Sequence, residues 1–526
     1  MKILSRNTFP YIVISAIILL QFLTGLWHIR DPFIDGTLHY NWNPAFWLIN
    51  AKATNHIGIA RSFFGVGMGY EDVPGQNPRP TSFYASHPQL IGPVSAFWTR
   101  MFGYDEWSPR VLALLIIAGA AFIFFLTFWE VYGWQFAASF SLLFVSLPLI
   151  VIYGKMFNNE PLVLFFLAVS LWGFVKMIHG NSRSGLLIFL IGLLGMTLSD
   201  WSGFVFGGLV VALLLFSSLR RTPNARRMLI FSLGIVLLGF SIFLLQSYLQ
   251  RLALQIPSET GAASLREVAT RSIDLWKYRS GQESPIPWSL WFLKELVFIN
   301  INYSLILAGT GIAGVFWAII AARKRNFPLA KKAVVFFIAA VLGGQLFYLL
   351  FLKQATFVHL YYQYFFSLPI AFGTIWLIDR LAHLAKLEKK QKLFLLAGVI
   401  LTVAASALYA RHVYMRLIYS ETWGDRSDLA IVTALGELPA DAQIVVVDNE
   451  SALEWWANPN IEYYAHRSVE RYSLSQQVPF APYQIVPFKI ADPLTKIIAS
   501  GKAYGTPVRV TSLRCSTHFC ILKLER

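Results

Sequence analysis

The sequence predicts a polytopic α-helical membrane protein of about eleven transmembrane helices, followed by a small soluble α/β domain at its C-terminal end. Three observations predict it. Of the 526 residues, 56% are hydrophobic and only 14% charged, whereas a soluble domain carries roughly a quarter charged residues. Apolar runs of about 20 residues, long enough to cross a bilayer core, recur along most of the chain. Beyond Tyr414 these long runs stop.

The spans fall near residues 9–28, 109–129, 136–154, 161–177, 185–199, 203–219, 228–248, 302–321, 333–352, 361–379 and 393–411. The first has Lys2 and Arg6 ahead of it, as a signal peptide would. No small-residue cleavage site follows, and the chain continues through Trp27 and His28, so it reads as an uncleaved span. The formal charge of +16 is dispersed in short segments between the apolar runs. That is the pattern of membrane orientation, not of a nucleic-acid surface.

Orientation follows from where the cations sit. Lys176 and Arg183, then Arg220, Arg221, Arg226 and Arg227, then Arg323 to Arg325 with Lys331 and Lys332, then Arg380, Lys386, Lys389, Lys390 and Lys392 follow spans four, six, eight and ten. Lys2 and Arg6 share their side. Short basic loops stay in the cytoplasm, so the N-terminus is expected inside and the C-terminal domain outside. The organisation is therefore a membrane domain, 1–413, with large outer loops at 29–108 and 249–301, and an extracytoplasmic domain, 414–526.

Polar residues gather on the outer side: Asp31, Asp35, His39, His87, Lys155, Glu160, Asp200 and His359. Charge near a bilayer costs several kcal/mol unless it is paired or wet, and it commonly marks function. The first loop opens Arg30-Asp31-Pro32-Phe33-Ile34-Asp35-Gly36-Thr37-Leu38-His39, before an aromatic, helix-like stretch from Trp42 to Arg61. A carboxylate here can take a proton from an acceptor hydroxyl or hold a divalent cation; a helix cap or turn is the structural alternative. Next come His87-Pro88-Gln89-Leu90, leading into an amphipathic helix, and Lys155-Met156-Phe157-Asn158-Asn159-Glu160-Pro161, opening span four.

A carboxylate after the first span, a His-Pro-x-Leu before an amphipathic helix and an acid with Pro at span four resemble the bacterial C-type (GT-C) glycosyltransferases. That superfamily includes protein O-mannosyltransferases and lipid A aminoarabinose transferases. The likeness is clear over residues 9–210 and only a hydrophobic pattern over 300–411. It implies transfer of a sugar from a polyprenyl-phosphate donor to a hydroxyl of a glycan, lipid or protein acceptor, on the outer face of a bacterial inner membrane. It also implies roles. Asp35 would be the general base, with Asp31 its competitor. His87 would face the donor phosphate, with Lys155 adding positive charge, and Glu160 would shape the acceptor or sugar site. The family often pairs two acids at the first site, whereas Gly36 follows Asp35 here.

Asp200, in Ser199-Asp200-Trp201, reads either as a substrate-binding residue or as a helix cap, and His39 joins the substrate group. His359 is a donor-site candidate among aromatic-belt tyrosines. The loop 249–301, with Arg266, Arg271, Lys277 and Arg279, reads as a solvated face or an amphipathic lid. No Gly-rich phosphate loop and no zinc pair at helical spacing occurs. No cofactor is expected. Asp31 and Asp35 would be the ligands if a divalent ion is used, as related oligosaccharyltransferases use one.

In the tail, 443–448 reads as a buried strand, 508–510 and 520–523 as further strands, and 428–438 and 451–456 as helices. Cys515 and Cys520, the only cysteines, are close enough to bridge in an oxidising compartment. Two other functions compete. A lipid-linked glycan transporter or flippase would put polar or broken helices at the midplane, yet the span centres here are apolar. A non-catalytic scaffold leaves the first-loop acids and His87 without a purpose.

Overall fold

The computed structural model describes residues 8–31, 33, 42–71, 77–84, 87–180, 183–216, 225–254, 265–282, 286–385 and 389–413, and in the tail 438, 444–448, 470–473, 481–487, 508–515 and 519–525. The chain divides into two compact units. One comprises Met1–Arg30 with Ala51–Val413, the other Asp31–Asn50 with Tyr414–Arg526.

In the first unit, α1 (Phe9–Gly25) starts with Pro10 in its first turn, where the missing amide hydrogen costs nothing. The helix α2 (Trp42–Ile57) enters from the other unit. An antiparallel hairpin, β1 (Gly67–Glu71) and β2 (Arg79–Phe83), precedes α3 (Ile91–Phe102). The bundle continues through α4 (Trp107–Tyr132), α5 (Trp134–Ser146), α6 (Pro148–Tyr153), α7 (Asn159–Gly180), α8 (Arg183–Ser199), α9 (Trp201–Phe216) and α10 (Ala225–Leu254). Then follow α11 (Leu265–Ser280), α12 (Trp288–Tyr303), α13 (Leu305–Ala322), α14 (Leu329–Phe351), α15 (Lys353–Val358), a 3-10 helix over Leu360–Phe366, α16 (Ser367–Leu384) and α17 (Lys389–Val413).

A helix stands on each of the eleven apolar segments. Among the described residues, six helices are long and apolar enough to cross a membrane: Trp107–Tyr132, Asn159–Ile178, Arg226–Leu254, Leu305–Ala322, Leu329–Phe351 and Leu360–Leu384. The third of these has a mean hydropathy of 2.7, yet only 22% of its apolar window is buried. Ile230, Phe231, Leu233, Leu237 and Leu245 all face outward from it. A soluble protein rarely exposes so large an apolar face; a lipid-facing helix must. This is an integral membrane protein.

Departures from the expected spans have local causes. Span three breaks at Leu147, whose extended backbone ends α5, and Pro148 starts α6; proline cannot continue a helix interior. Span eight begins only at Leu305. Ser304 adopts φ 61°, and its hydroxyl caps α13 by accepting from the Leu307 amide at 3.3 Å. The outer loop 249–301 is largely helical, as the end of α10, then α11 and most of α12.

The core is aromatic between α4, α5 and α16, where Phe124, Phe128, Phe136, Phe140, Phe144 and Phe372 meet mostly edge-on. Such pairs add about 0.5–1.5 kcal/mol beyond burial. The α13–α16 crossing is instead made by glycine. A Cβ on Gly314 would lie 1.9 Å from the Gly373 carbonyl oxygen, and one on Gly373 equally close to that of Gly311. The two backbones touch, as small residues at membrane helix interfaces allow.

In the second unit the described strands form one five-stranded sheet in the order β4-β3-β5-β7-β6. Here β3 (Ile444–Asp448) runs parallel to β4 (Glu470–Ser473) and β5 (Tyr483–Pro487), while β7 (Phe519–Glu525) is antiparallel to β5 and to β6 (Arg509–Cys515). The three predicted strands fall on β3, β6 and β7. The two predicted helices lie, except for Leu438, outside the described residues. Cys515 and Cys520 are cross-strand partners at the β6–β7 turn, and their sulfurs are bonded.

Candidate functional site

In the first unit the site is built around His87. Pro88 and Gln89 fix the chain just before α3. The Gln89 and Gln250 side chains exchange two hydrogen bonds of 2.9 Å, and Gln89 Oε1 also accepts from the Val66 amide at 2.7 Å. Gln250 Nε2 reaches the Ser62 carbonyl (3.1 Å), and Gln246 Nε2 the Phe63 carbonyl (2.9 Å). The Leu90 amide donates to the Leu198 carbonyl. The His87 loop is thus tied to α8 and α10 by buried amides, which have few alternative partners in an apolar setting.

His87 is 3% exposed, and its ring stacks on Tyr84 with centroids 5.0 Å apart and planes 8° from parallel. Its Nε2 meets a guanidinium nitrogen of Arg279, at the C-terminal end of α11. Burial first, and the Arg279 charge second, hold the His87 ring well below the usual imidazole range. It is therefore neutral at pH 7, with Nε2 accepting from Arg279. Burial also opposes the charge on Arg279, but its neighbours, Asp200 among them, outweigh it, so the guanidinium stays charged.

Two carboxylates share this electrostatic neighbourhood. Glu160 lies in the first turn of α7 and is 4% exposed. Its Oε2, like the adjacent Asn159 Oδ1, is buried with no hydrogen-bond partner among the described residues. A buried carboxylate oxygen left open in this way is costly unless a ligand completes it. Asp200 does cap a helix: its Oδ2 accepts from the Ser202 amide (3.1 Å) and hydroxyl (2.8 Å) at the start of α9.

His87 thus meets Arg279 directly, and Glu160 and Asp200 share its electrostatic neighbourhood. The His359 ring lies 5.3 Å from that of Tyr361 and 5.1 Å from that of Tyr362. Lys155 is 2% exposed, and its ammonium donates to the Trp27 carbonyl at 2.6 Å. Asp31 is half-buried and belongs to the second unit. Asp35 and His39 lie outside the described residues. Among the described residues no three His, Cys, Asp or Glu side chains gather as a metal site.

The residue that the sequence reading did not single out is Arg279. The signal was there: it ends a polar helix carrying Trp276 and Tyr278, just before Gly281 at φ 80°. That composition looks like a solvated face, and Lys277 is indeed exposed, whereas Arg279 turns to His87.

The fold is that of C-type glycosyltransferases, membrane enzymes built on such a helical bundle. The chain is similar to ArnT from Cupriavidus metallidurans in a crystal structure bound to undecaprenyl phosphate, with a TM-score of 0.65 at 12% identity over 98% of both chains. It is also similar to the apo oligosaccharyltransferase of Archaeoglobus fulgidus (TM-score 0.60, 13% identity, 92% of this chain and 70% of that one). A third is the arabinofuranosyltransferase AftD from Mycobacteria (TM-score 0.52, 13% identity, 99% of this chain and 40% of that one). No family model matches the sequence, and no curated protein does either.

Proposed function

We propose that this protein is a glycosyltransferase that moves a sugar from a polyprenyl-phosphate-linked donor to an acceptor hydroxyl at the outer face of the bacterial inner membrane. The observation that carries the reading is the half-buried, charged Arg279 held against a buried, neutral His87 in the electrostatic neighbourhood of two buried acids. Support comes from the shared fold and from the undecaprenyl phosphate bound to the similar ArnT. Eleven spans, a cytoplasmic N-terminus and an extracytoplasmic α/β tail complete the proposal, on the strength of the basic loops.

In this mechanism the guanidinium fork binds the donor phosphate, a geometry that arginine suits. His87 orients the fork, and Lys155 adds a second positive charge. The bond between the anomeric carbon and the phosphate oxygen breaks as the acceptor oxygen bonds to that carbon. The acceptor proton passes to Asp35, and polyprenyl phosphate leaves with the electron pair. Fixed positive charge at the departing phosphate counts for more in a low-dielectric pocket than in water. Glu160, through its open oxygen, accepts a hydroxyl of the sugar or acceptor. Asp200, His39 and His359 line the substrate.

The test follows transfer from a polyprenyl-phosphate sugar in detergent. Asp35→Asn keeps size and polarity but removes the proton acceptor, so a loss on the order of 10²-fold or more is expected with donor binding intact. If Asp31→Asn is the more damaging change, the base is the other acid. Full activity in both variants would overturn the mechanism. Loss of activity in EDTA would keep the reaction and make the two acids metal ligands.

A further inference from the structure

The helix α12 has the polarity of a water-borne helix turned inside out. Trp291, Glu295, Phe298 and Asn302, at i, i+4, i+7 and i+11, are buried against the rest of the unit. On the opposite side Leu290 is 50% exposed, Leu293 60% and Val297 55%, with Phe292 beside them at 55%. A surface helix in water turns its apolar stripe inward and its polar residues outward. Here the hydrogen-bonding side chains are spent inward. The Trp291 indole donates to the Thr356 hydroxyl (3.0 Å), and Glu295 Oε2 accepts from Gln363 Nε2 (2.7 Å). Asn302 Nδ2 donates to Gln363 Oε1 (3.1 Å) and to the Leu360 carbonyl (3.0 Å). The exposed polar residues stand at the ends: Ser289 in the first turn, and Asn300 in the last, where its Oδ1 accepts from the Leu305 amide (3.2 Å).

The apolar surface continues past Ser304. Leu305 (49% exposed) and Ile306 (84%) open α13, and Phe316 and Ile320 extend the same face along a helix long and apolar enough to cross a membrane. With 16 residues, α12 rises only about 24 Å, short of the roughly 30 Å of a bilayer core. Its first end carries the residues of a lipid–water boundary. Lys353 Nζ lies 4.2 Å from the Trp288 ring centroid and donates to the Ile286 carbonyl, and Lys294 Nζ lies 3.9 Å from the Phe357 ring. Tryptophan and snorkelling lysine gather at that depth. The preceding α11 is unlike it. Its exposed side mixes Ile273, Trp276 and Tyr278 with the ion pair of Asp274 and Lys277 (3.5 Å).

We infer that α12 is immersed in the bilayer, with Leu290, Phe292, Leu293 and Val297 against lipid acyl chains, while α11 stays in the water and headgroup layer. Bulk lipid is the occupant because the face is continuous with that of a spanning helix and carries no charge. The stretch 249–301, an outer loop by sequence, therefore contributes a helix to the membrane. Glu295 and Asn302 lie behind that helix, screened from water by the residues that face the lipid.

The experiment places nitroxide labels on the full chain in vesicles of phosphatidylethanolamine and phosphatidylglycerol. Cys515 and Cys520 are bonded to each other and take no label, so Leu293→Cys, Val297→Cys and, on α11, Lys277→Cys each give a single site. Collision with oxygen, which concentrates in hydrocarbon, is compared with collision with a water-soluble nickel chelate. Oxygen should dominate at 293 and 297 and the chelate at 277, with thermal unfolding near wild type. Chelate access at 293 and 297 equal to that at 277 would put α12 in water and overturn the inference. Low access to both reagents would overturn it too, and spin–spin broadening that vanishes on dilution with unlabelled chain would identify a second copy as the cover. Oxygen access at 293 that falls on adding polyprenyl phosphate would also overturn it, by giving the face to the chain of the donor lipid. A second measurement needs no cysteine. Brominated acyl chains should quench the emission of the wild-type chain more than that of Trp288→Phe, since Trp288 is 59% exposed; equal quenching would count against immersion.

Discussion

Replacing Arg279 by alanine strikes the proposed function where it is most exposed. The side chain is half-buried against His87, in the electrostatic neighbourhood of Glu160 and Asp200, so under the proposed function its removal takes away a charge-assisted fork and leaves two acids near an incoming phosphate. Truncating one partner of a buried, hydrogen-bonded charge pair costs about 2–5 kcal/mol. At roughly 1.4 kcal/mol per decade, the middle of that range is on the order of 10²-fold or more in affinity. Arg279→Lys keeps the charge and loses the planar fork, so a loss nearer tenfold is expected. The assay is titration with polyprenyl phosphate in detergent, beside thermal unfolding to show that the bundle is intact. Affinity within about threefold of wild type in folded Arg279→Ala would refute the assignment of the phosphate to this site.

Other outcomes follow from the same geometry. His87 has a folded-state affinity for protons below its ordinary value of 6.5, so the unfolded chain binds more protons. Stability from this group is present above pH 6.5 and is lost as pH falls below it; in His87→Gln, thermal unfolding should lose part of that acid sensitivity, and an unchanged profile would contradict a neutral His87. Gly314→Leu should prevent a stable bundle, since the Gly373 backbone occupies the space; normal yield and unfolding temperature would show that the crossing can open. Single cysteines near 270 and 480 should react with an impermeant reagent in intact cells and one at 225 should not, and the reverse pattern would invert the orientation. Intact mass with and without alkylation should find Cys515 and Cys520 bridged, whereas two free thiols would end that expectation.

The helices were legible because a bilayer demands long apolar runs and the sequence supplies them without subtlety. What periodicity hides is where a run is interrupted. Pro148 sits inside an unbroken apolar string, and only the backbone shows that it starts a new helix. The strands β4 and β5 were missed for a related reason: Glu-Arg-Tyr-Ser and Tyr-Gln-Ile-Val-Pro are short and hold polar residues or a proline. In the site, His87 and Glu160 stood out because a charged or titratable residue next to apolar runs is conspicuous. Arg279 did not, because it lies among other cations on a polar helix, and which of them points inward is a tertiary fact. The Gln363 network was equally silent, since a glutamine among tyrosines carries no charge to flag it.

The glycine crossing between α13 and α16 has a mechanical consequence. With backbone against backbone there is no layer of side chains to compress, so a push on one helix passes undamped to the other. The 3-10 helix runs directly into α16 and shares that stiffness.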